Sequence, residues 1–177
     1  MNNRLENIIE AKAVDFVYAY EGDEESSLPA LSGIDLTVSR GEYLALIGPN
    51  GSGKTTLLKL FNALLLPSRG QVFIDGLNSD AEENHTFIRR YCGMIFQNPD
   101  NQLVATTVEE DIAFGMENLA LPPREIRHKV AEVAYHLGLE KLLKKPPHLL
   151  SGGEKQRVAI AGVLAMQPQC ILMDEPT

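Results

Sequence analysis

The residues best suited to chemistry stand together between Glu42 and Thr56, in EYLALIGPNGSGKTT. The apolar run Tyr43 to Ile47 is short and β-prone, and it reads as a buried strand. The turn Gly48-Pro49-Asn50-Gly51-Ser52-Gly53 follows. Lys54-Thr55-Thr56 then opens a helical apolar pattern through Leu57, Leu58, Leu60, Phe61 and Leu64. Strand, glycine turn and helix start are the context that a G-x-x-x-x-G-K-(S/T) phosphate loop requires. Glycines let backbone amides turn inward and approach a polyphosphate, where a side chain would collide. The helix start adds unpaired N–H donors and the positive end of its dipole. Lys54 supplies a full charge for the outer phosphates, and the Thr55 hydroxyl suits a hard cation such as Mg2+. A glycine-rich turn with a surface lysine would lack the flanking strand and helix, so the pattern points to nucleotide binding.

Two further stretches carry candidate chemistry. Leu150-Ser151-Gly152-Gly153-Glu154-Lys155-Gln156-Arg157 opens a helix that stays apolar to about Ala165. Ser151 is a natural cap, and the two glycines leave the first amides open to an anion. The bland alternative is an ordinary capped helix. Cys170 to Met173 is an apolar strand ending in Asp174 and Glu175. Neighbouring strand side chains point oppositely, so one acid can face a metal while the next faces a reacting water. Alone, a strand ending in acids would be unremarkable.

The elements that must position these residues alternate strand and helix, an α/β reading. Lys12 to Tyr18 alternates with Val14, Phe16 and Tyr18 on one face, and Ile34 to Val38 alternates again, giving two half-buried strands. Between them EGDEESS, 21–27, is an acidic, mobile loop. Pro67-Ser68-Arg69-Gly70 stops the helix after the phosphate loop. Gln71 to Gly76 reads as a strand ending in a turn, 77–87 is uninformative, and Tyr91 to Phe96 is a strand leading into Gln97. From Thr107 the pattern is helical: Val108 to Met116 has an acidic start, and Pro122-Pro123 breaks the chain. Ile126, Val130, Val133 and Leu137 then recur at helical spacing up to Gly138. The expected organisation is 1–98, N-terminal strands and phosphate loop; 99–149, an inserted helical subdomain; and 150–177, the Ser-Gly-Gly helix and the acid-tipped strand.

A length of 177 residues fits one domain with a small subdomain, and 44% hydrophobic with 23% charged residues is ordinary globular composition. The net charge of −8 argues against a general nucleic-acid binder. No 18-residue apolar run or signal peptide is present, and Cys92 and Cys170, distant in sequence, read as reduced core residues of a cytosolic protein. The histidines His85, His128, His136 and His148 read as surface or helix-face residues.

Together these residues resemble the ATPase subunit of an ABC transporter, a P-loop NTPase with N-terminal antiparallel strands and an inserted helical subdomain. Walker A is GPNGSGKT at 48–55, the Q-loop glutamine is Gln97, the signature is LSGGEKQR at 150–157, and Walker B is CILMDE at 170–175. The segment FQNPDNQLVATTVEEDIAFG, 96–115, resembles the energy-coupling factor ATPases, which power uptake of vitamins and metal ions such as cobalt or nickel. The resemblance implies that Gly48, Asn50, Gly51, Ser52, Gly53, Lys54, Thr55 and Thr56 hold ATP. It implies that Thr55, Asp174 and nearby Gln97 serve Mg2+, and that Glu175 orients or deprotonates the attacking water. Catalysis would then rest on Glu175, Lys54 and Gln97. Ser151, Gly152 and Gly153 would meet the ATP of an opposing subunit, so that two ATPase chains are required. Tyr18 would stack on adenine, with Tyr20 as the competitor.

The resemblance further implies a peripheral protein on the cytoplasmic face of the membrane, bound to an integral transport complex. Glu109, Glu110 and Asp111 either meet basic groups of that complex or merely favour a helix start; charge reversal at Glu110 tests the choice. The family continues past Walker B to a switch histidine. The chain therefore reads as truncated after Thr177, with a bare, aggregation-prone sheet edge and weak or absent turnover of its own. The alternatives are the ATPase of a conventional ABC transporter, a soluble ABC ATPase of repair or translation, and a catalytically silent nucleotide-binding module. The short helical stretch without heptads and the acidic charge disfavour the soluble class. Intact Lys54, Asp174 and Glu175 argue against the silent one. The transported substrate and the identity of the second ATPase are not written in these residues.

Overall fold

A computed structural model describes residues 6–18 and 29–175. Tyr20, the acidic segment 21–27 and the final Pro176-Thr177 lie outside the described residues. The chain divides into two compact units, the first ending at Arg89 and the second beginning at Arg90.

The first unit is built on an antiparallel sheet of order β2-β1-β3-β4, with β1 at Asn7–Phe16, β2 at Leu31–Ser39, β3 at Arg69–Ile74 and β4 at Leu77–Asn78. Alternation places Val14, Phe16, Val38, Val72 and Ile74 in the core. The sheet bends where Ala13 takes φ 47° and the β1–β3 register slips between Lys12 and Asp15. At that bulge a Cβ on Gly70 would stand 2.3 Å from the Ala13 carbonyl oxygen, so only glycine fits. The helix α1, Lys54–Phe61, buries Leu57, Leu60 and Phe61. It ends at Asn62, before Pro67-Ser68-Arg69-Gly70, because Ala63 turns to φ 52°. Leu64, expected within the apolar face, is exposed beyond that end.

The apolar run Tyr43–Ile47 is not a buried strand in this structure. It is irregular, and Tyr43 and Ile47 are fully exposed. A strand needs a ladder to satisfy its amides and a neighbour to cover its side chains, and neither described sheet pairs with this segment.

In the second unit β5, Cys92–Ile95, pairs in parallel with β6, Cys170–Met173. Cys92 stands directly opposite Cys170, so residues distant in sequence become cross-strand neighbours. Cys92 is buried and Cys170 is partly exposed, which corrects the expectation of two core thiols. Neither is in a disulfide, and hydrogen bonding from Cys92 holds the Cys170 thiol below its usual value, against the opposing effect of burial. Three helices form the rest: α3, Val108–Asn118; α4, Pro123–Leu137; and α5, Gly152–Ala165. Val108, Ile112, Met116, Ile126, Val130, Ala134, Val158 and Ala161 make their common core. The approach of α3 to α5 is close at Gly162, where a Cβ would touch the Asp111 carbonyl oxygen at 3.5 Å. Gly138 at φ 65° closes α4, as its sequence position suggests. A short helix α2, His85–Tyr91, arises in a region whose sequence pattern is weak.

Candidate functional site

The glycine turn expected to bind phosphate is positioned by what surrounds Gly53. This residue precedes α1 with φ 88°, and a Cβ there would meet the Ala30 carbonyl oxygen at 2.6 Å and Leu31 Cδ2 at 2.7 Å. Only glycine lets the loop lie against β2 and still turn into the helix. A Cβ on Gly48 would press on Ser52 Oγ at 2.8 Å. Lys54 Nζ donates to the carbonyl oxygens of Gly48 at 3.0 Å and Pro49 at 3.1 Å, so its ammonium lies back across the turn. A cation that donates to neutral carbonyls gains a stronger, charge-assisted hydrogen bond when a phosphate oxygen takes their place. Gly51 takes φ 80°, with open space where its Cβ would stand. Asn50 lies exposed in the same turn.

Beside this loop, Tyr18 follows the end of β1. Its hydroxyl hydrogen-bonds Thr56 Oγ1 at 3.0 Å, and its ring meets Phe16 edge-to-face at 4.9 Å. Tyr18 as a whole is 39% exposed, which leaves surface for a planar partner. Thr56 itself is buried, and Thr55 precedes it in the first turn of the same helix.

In the second unit the parallel β5–β6 ladder delivers Gln97, Asp174 and Glu175 to one end. The Asp174 amide donates to the Ile95 carbonyl at 3.0 Å, extending the ladder, and Asp174 is buried. Gln97 Nε2 donates to Glu175 Oε2 at 2.8 Å. Glu175 takes φ 45°, a left-handed conformation uncommon for a side chain of its size, at the point where strand gives way to the next segment. Within this unit the Asp174 carboxylate and the Gln97 side-chain carbonyl are oxygen donors, the type that suits a hard divalent cation.

The start of α5 is capped by its own sequence. Ser151 Oγ accepts from the Glu154 amide at 3.4 Å, while Glu154 Oε2 accepts from the Ser151 amide at 2.8 Å and hydroxyl at 2.7 Å. The Ser151 hydroxyl and amide hold the Glu154 carboxyl below its ordinary value. Gly152 and Gly153 sit on an exposed helix start, and a Cβ on either would meet nothing within 4 Å. Packing among the described residues therefore does not demand glycine at these positions.

The acids Glu109, Glu110 and Asp111 are used locally. Glu110 closes a capping box with Thr107 and accepts from Thr106 Oγ1 at 2.6 Å, and these hydroxyls depress its pKa. Glu109 pairs with Lys144. Asp111 is buried, and its Oδ1 takes the amides of Val104 at 2.7 Å and Ala105 at 2.9 Å. Sequence reading missed Gln102, Asp100 and Lys155, which fasten the segment after Gln97 to α5. The only sequence signal was their position inside two motif-bearing stretches.

Residues 31–177 match the family model described as ABC transporter. The energy-coupling factor transporter ATP-binding protein EcfA1 of Clostridium novyi (strain NT) is 55% identical over 97% of this chain and 61% of its own length. The cobalt import ATP-binding protein CbiO of Syntrophus aciditrophicus (strain SB) is 50% identical over 96% of this chain and 59% of its own. Among solved structures, cbiO1 of Clostridium perfringens, described as part of the ABC transporter complex cbiONQ, aligns with TM-score 0.79 at 38% identity. That alignment covers 95% of this chain and 65% of the other. The ATP-binding cassette MJ0796, solved as a dimer in a post-hydrolysis state with ADP and Pi, aligns with TM-score 0.85 at 33% identity over 96% and 74%. The chain spans about three fifths of the length of the curated relatives, 61% for the first of them.

Proposed function

Because this chain belongs to the ABC transporter family, we propose that the protein binds and hydrolyses ATP to energise a membrane importer of the energy-coupling factor type. Relatives named as energy-coupling factor and cobalt import ATP-binding proteins support the importer class. The observation that carries hydrolysis, beyond binding, is the Gln97–Glu175 contact beside the buried Asp174.

In this reading the backbone amides of Gly48, Asn50, Gly51, Ser52 and Gly53 cradle the phosphates. Lys54 exchanges its two carbonyl partners for the β- and γ-phosphate oxygens, and Thr56 assists. Tyr18 stacks on adenine. Thr55 and Asp174, with Gln97, would hold Mg2+, which neutralises charge on the phosphates when bound. Glu175 orients or deprotonates the attacking water. Its carboxylate accepts from Gln97 Nε2, so its position depends on where that amide points. The protein's contribution is positioning and charge stabilisation of phosphoryl transfer to water.

Ser151, Gly152 and Gly153 would contact ATP held by a second ATPase chain. Two exposed glycines that packing among the described residues does not require fit close approach by something outside the chain. The dimeric state of the MJ0796 cassette supports such pairing. Among the described residues no helix is long and apolar enough to cross a membrane. Attachment would then be peripheral, at the cytoplasmic face, through an integral partner.

The full-length protein, purified from detergent-solubilised membranes, tests the reading. ATP hydrolysis abolished by Glu175→Gln, with small integral membrane proteins co-purifying, is the expected result. Hydrolysis unaffected by Glu175→Gln, or recovery with ribosomes or nucleic acid alone, overturns it.

A further inference from the structure

The segment after Gln97 is held far more firmly than its loop character requires. Asn98 Oδ1 caps a short 3-10 turn, Pro99–Asn101, by accepting from the Asp100 amide at 2.9 Å. Gln102 and Leu103 amides return to the Pro99 carbonyl at 2.9 and 3.1 Å. Gln102 then bridges two elements. Its Oε1 accepts from the Phe96 amide at 3.3 Å, and its Nε2 donates to the Ala159 carbonyl of α5 at 3.2 Å. A second link joins Asp100 Oδ1 to Lys155 Nζ at 2.7 Å.

Both links end on residues next to proposed chemistry. Phe96 immediately precedes Gln97, so Gln102 fixes the peptide that aims the Gln97 amide at Glu175. Lys155 stands in the first turn of α5, two residues beyond Gly153. A cation there opposes the helix dipole, so the Asp100 carboxylate offsets an otherwise unfavourable placement. The Lys155 side chain is 19% exposed and Asp100 61%, so the pair is worth more as a constraint than as stabilisation.

We propose that Gln102 and the Asp100–Lys155 pair are positioning residues that make the Gln97–Glu175 arrangement and the Ser151–Gly153 helix start move as one piece. The inference rests on the ATPase reading, for which these are the two catalytic edges of the same unit. A shift of α5 on meeting a second chain's ATP is then passed to Gln97 through two polar links. Neither link touches nucleotide.

The test uses the full-length ATPase assembled with its membrane partners in nanodiscs. Gln102→Leu and Asp100→Ala are each expected to lower kcat about tenfold or more while KM for ATP stays within about twofold. Lys155→Arg, which keeps the ion pair, is expected to retain kcat to within about threefold. Unchanged kcat in both Gln102→Leu and Asp100→Ala overturns the proposal, and so does a loss matched by an equal rise in KM. Hydrogen–deuterium exchange without nucleotide supplies a readout independent of turnover. Asp100→Ala is expected to raise exchange in peptides covering 96–102 and also in 151–158. A rise confined to 96–102 overturns the linkage. Should the unmutated complex hydrolyse no ATP, the ATPase reading fails and the exchange pattern alone decides the linkage.

Discussion

Gly53 shows how much a single missing side chain decides. Its φ of 88° and the 2.6 Å approach to the Ala30 carbonyl oxygen leave no room for a methyl group. Gly53→Ala combines left-handed strain with a backbone clash, and is expected to cost roughly 2 kcal/mol or more, read as a lowered melting temperature. Tyr18 separates stacking from hydrogen bonding. Tyr18→Ala is expected to weaken ATP binding about tenfold in a fluorescent-nucleotide titration. Tyr18→Phe keeps the ring, loses only the bond to Thr56, and is expected to change affinity by less than about threefold. At the strand pair, the lowered pKa and partial exposure of Cys170 predict that it alkylates before Cys92, by mass spectrometry of a timed iodoacetamide reaction.

At the scale of elements, two helices begin with the same device. Thr107 with Glu110 and Ser151 with Glu154 each close a capping box, satisfying amides that would otherwise be orphaned. The Glu154 carboxyl is held low by the Ser151 hydroxyl and amide, so the box favours the ionised form. Its contribution is therefore present above the ordinary glutamate value near 4.3 and is lost as pH falls through the lowered folded value. Glu154→Gln is expected to remove that acid-induced fraying of α5, measured as amide exchange of 151–158 between about pH 3 and 5. Asp111 anchors the loop before α3 through two backbone amides. Asp111→Ala removes the acceptor of two amides, on exposed Val104 and partly buried Ala105, and is expected to destabilise the unit by about 1 kcal/mol in urea denaturation. Glu110 is engaged in its cap, so a charge-reversal test of partner docking at this position must be read beside the stability of α3.

For the whole molecule, the candidate machinery is divided between two units. Tyr18 and the phosphate loop belong to the first, and Gln97, Asp174, Glu175 and Ser151–Gly153 belong to the second. In the proposed function each ATP also requires a second chain. Glu175→Gln in the full-length protein is expected to accumulate a dimer with ATP that elutes early on size exclusion and reverts to monomer with ADP. A monomer under both conditions would remove the two-chain site.

Periodic and punctuated stretches were legible in the sequence: β5 and β6 as apolar runs, α4 between Pro123 and Gly138, and the start of α1 after its glycine-rich turn. In each of these the signal is local, because backbone preference, capping and side-chain spacing act within a few residues. The proposed chemistry rests on the same kind of local signal, since Lys54, Thr55, Asp174, Glu175 and Ser151 sit in short motifs whose spacing has a mechanical meaning. What the tertiary structure decided depends on partners far along the chain. Tyr43–Ile47 has the composition of a strand, yet without a ladder neighbour it remains irregular. Cys92 meets Cys170 only because two strands align in register. Gln102 and Lys155 acquire roles only when α5 packs beside the segment that follows Gln97. Spacing along a chain records which groups a turn or helix can bring together; tertiary packing alone brings together the rest.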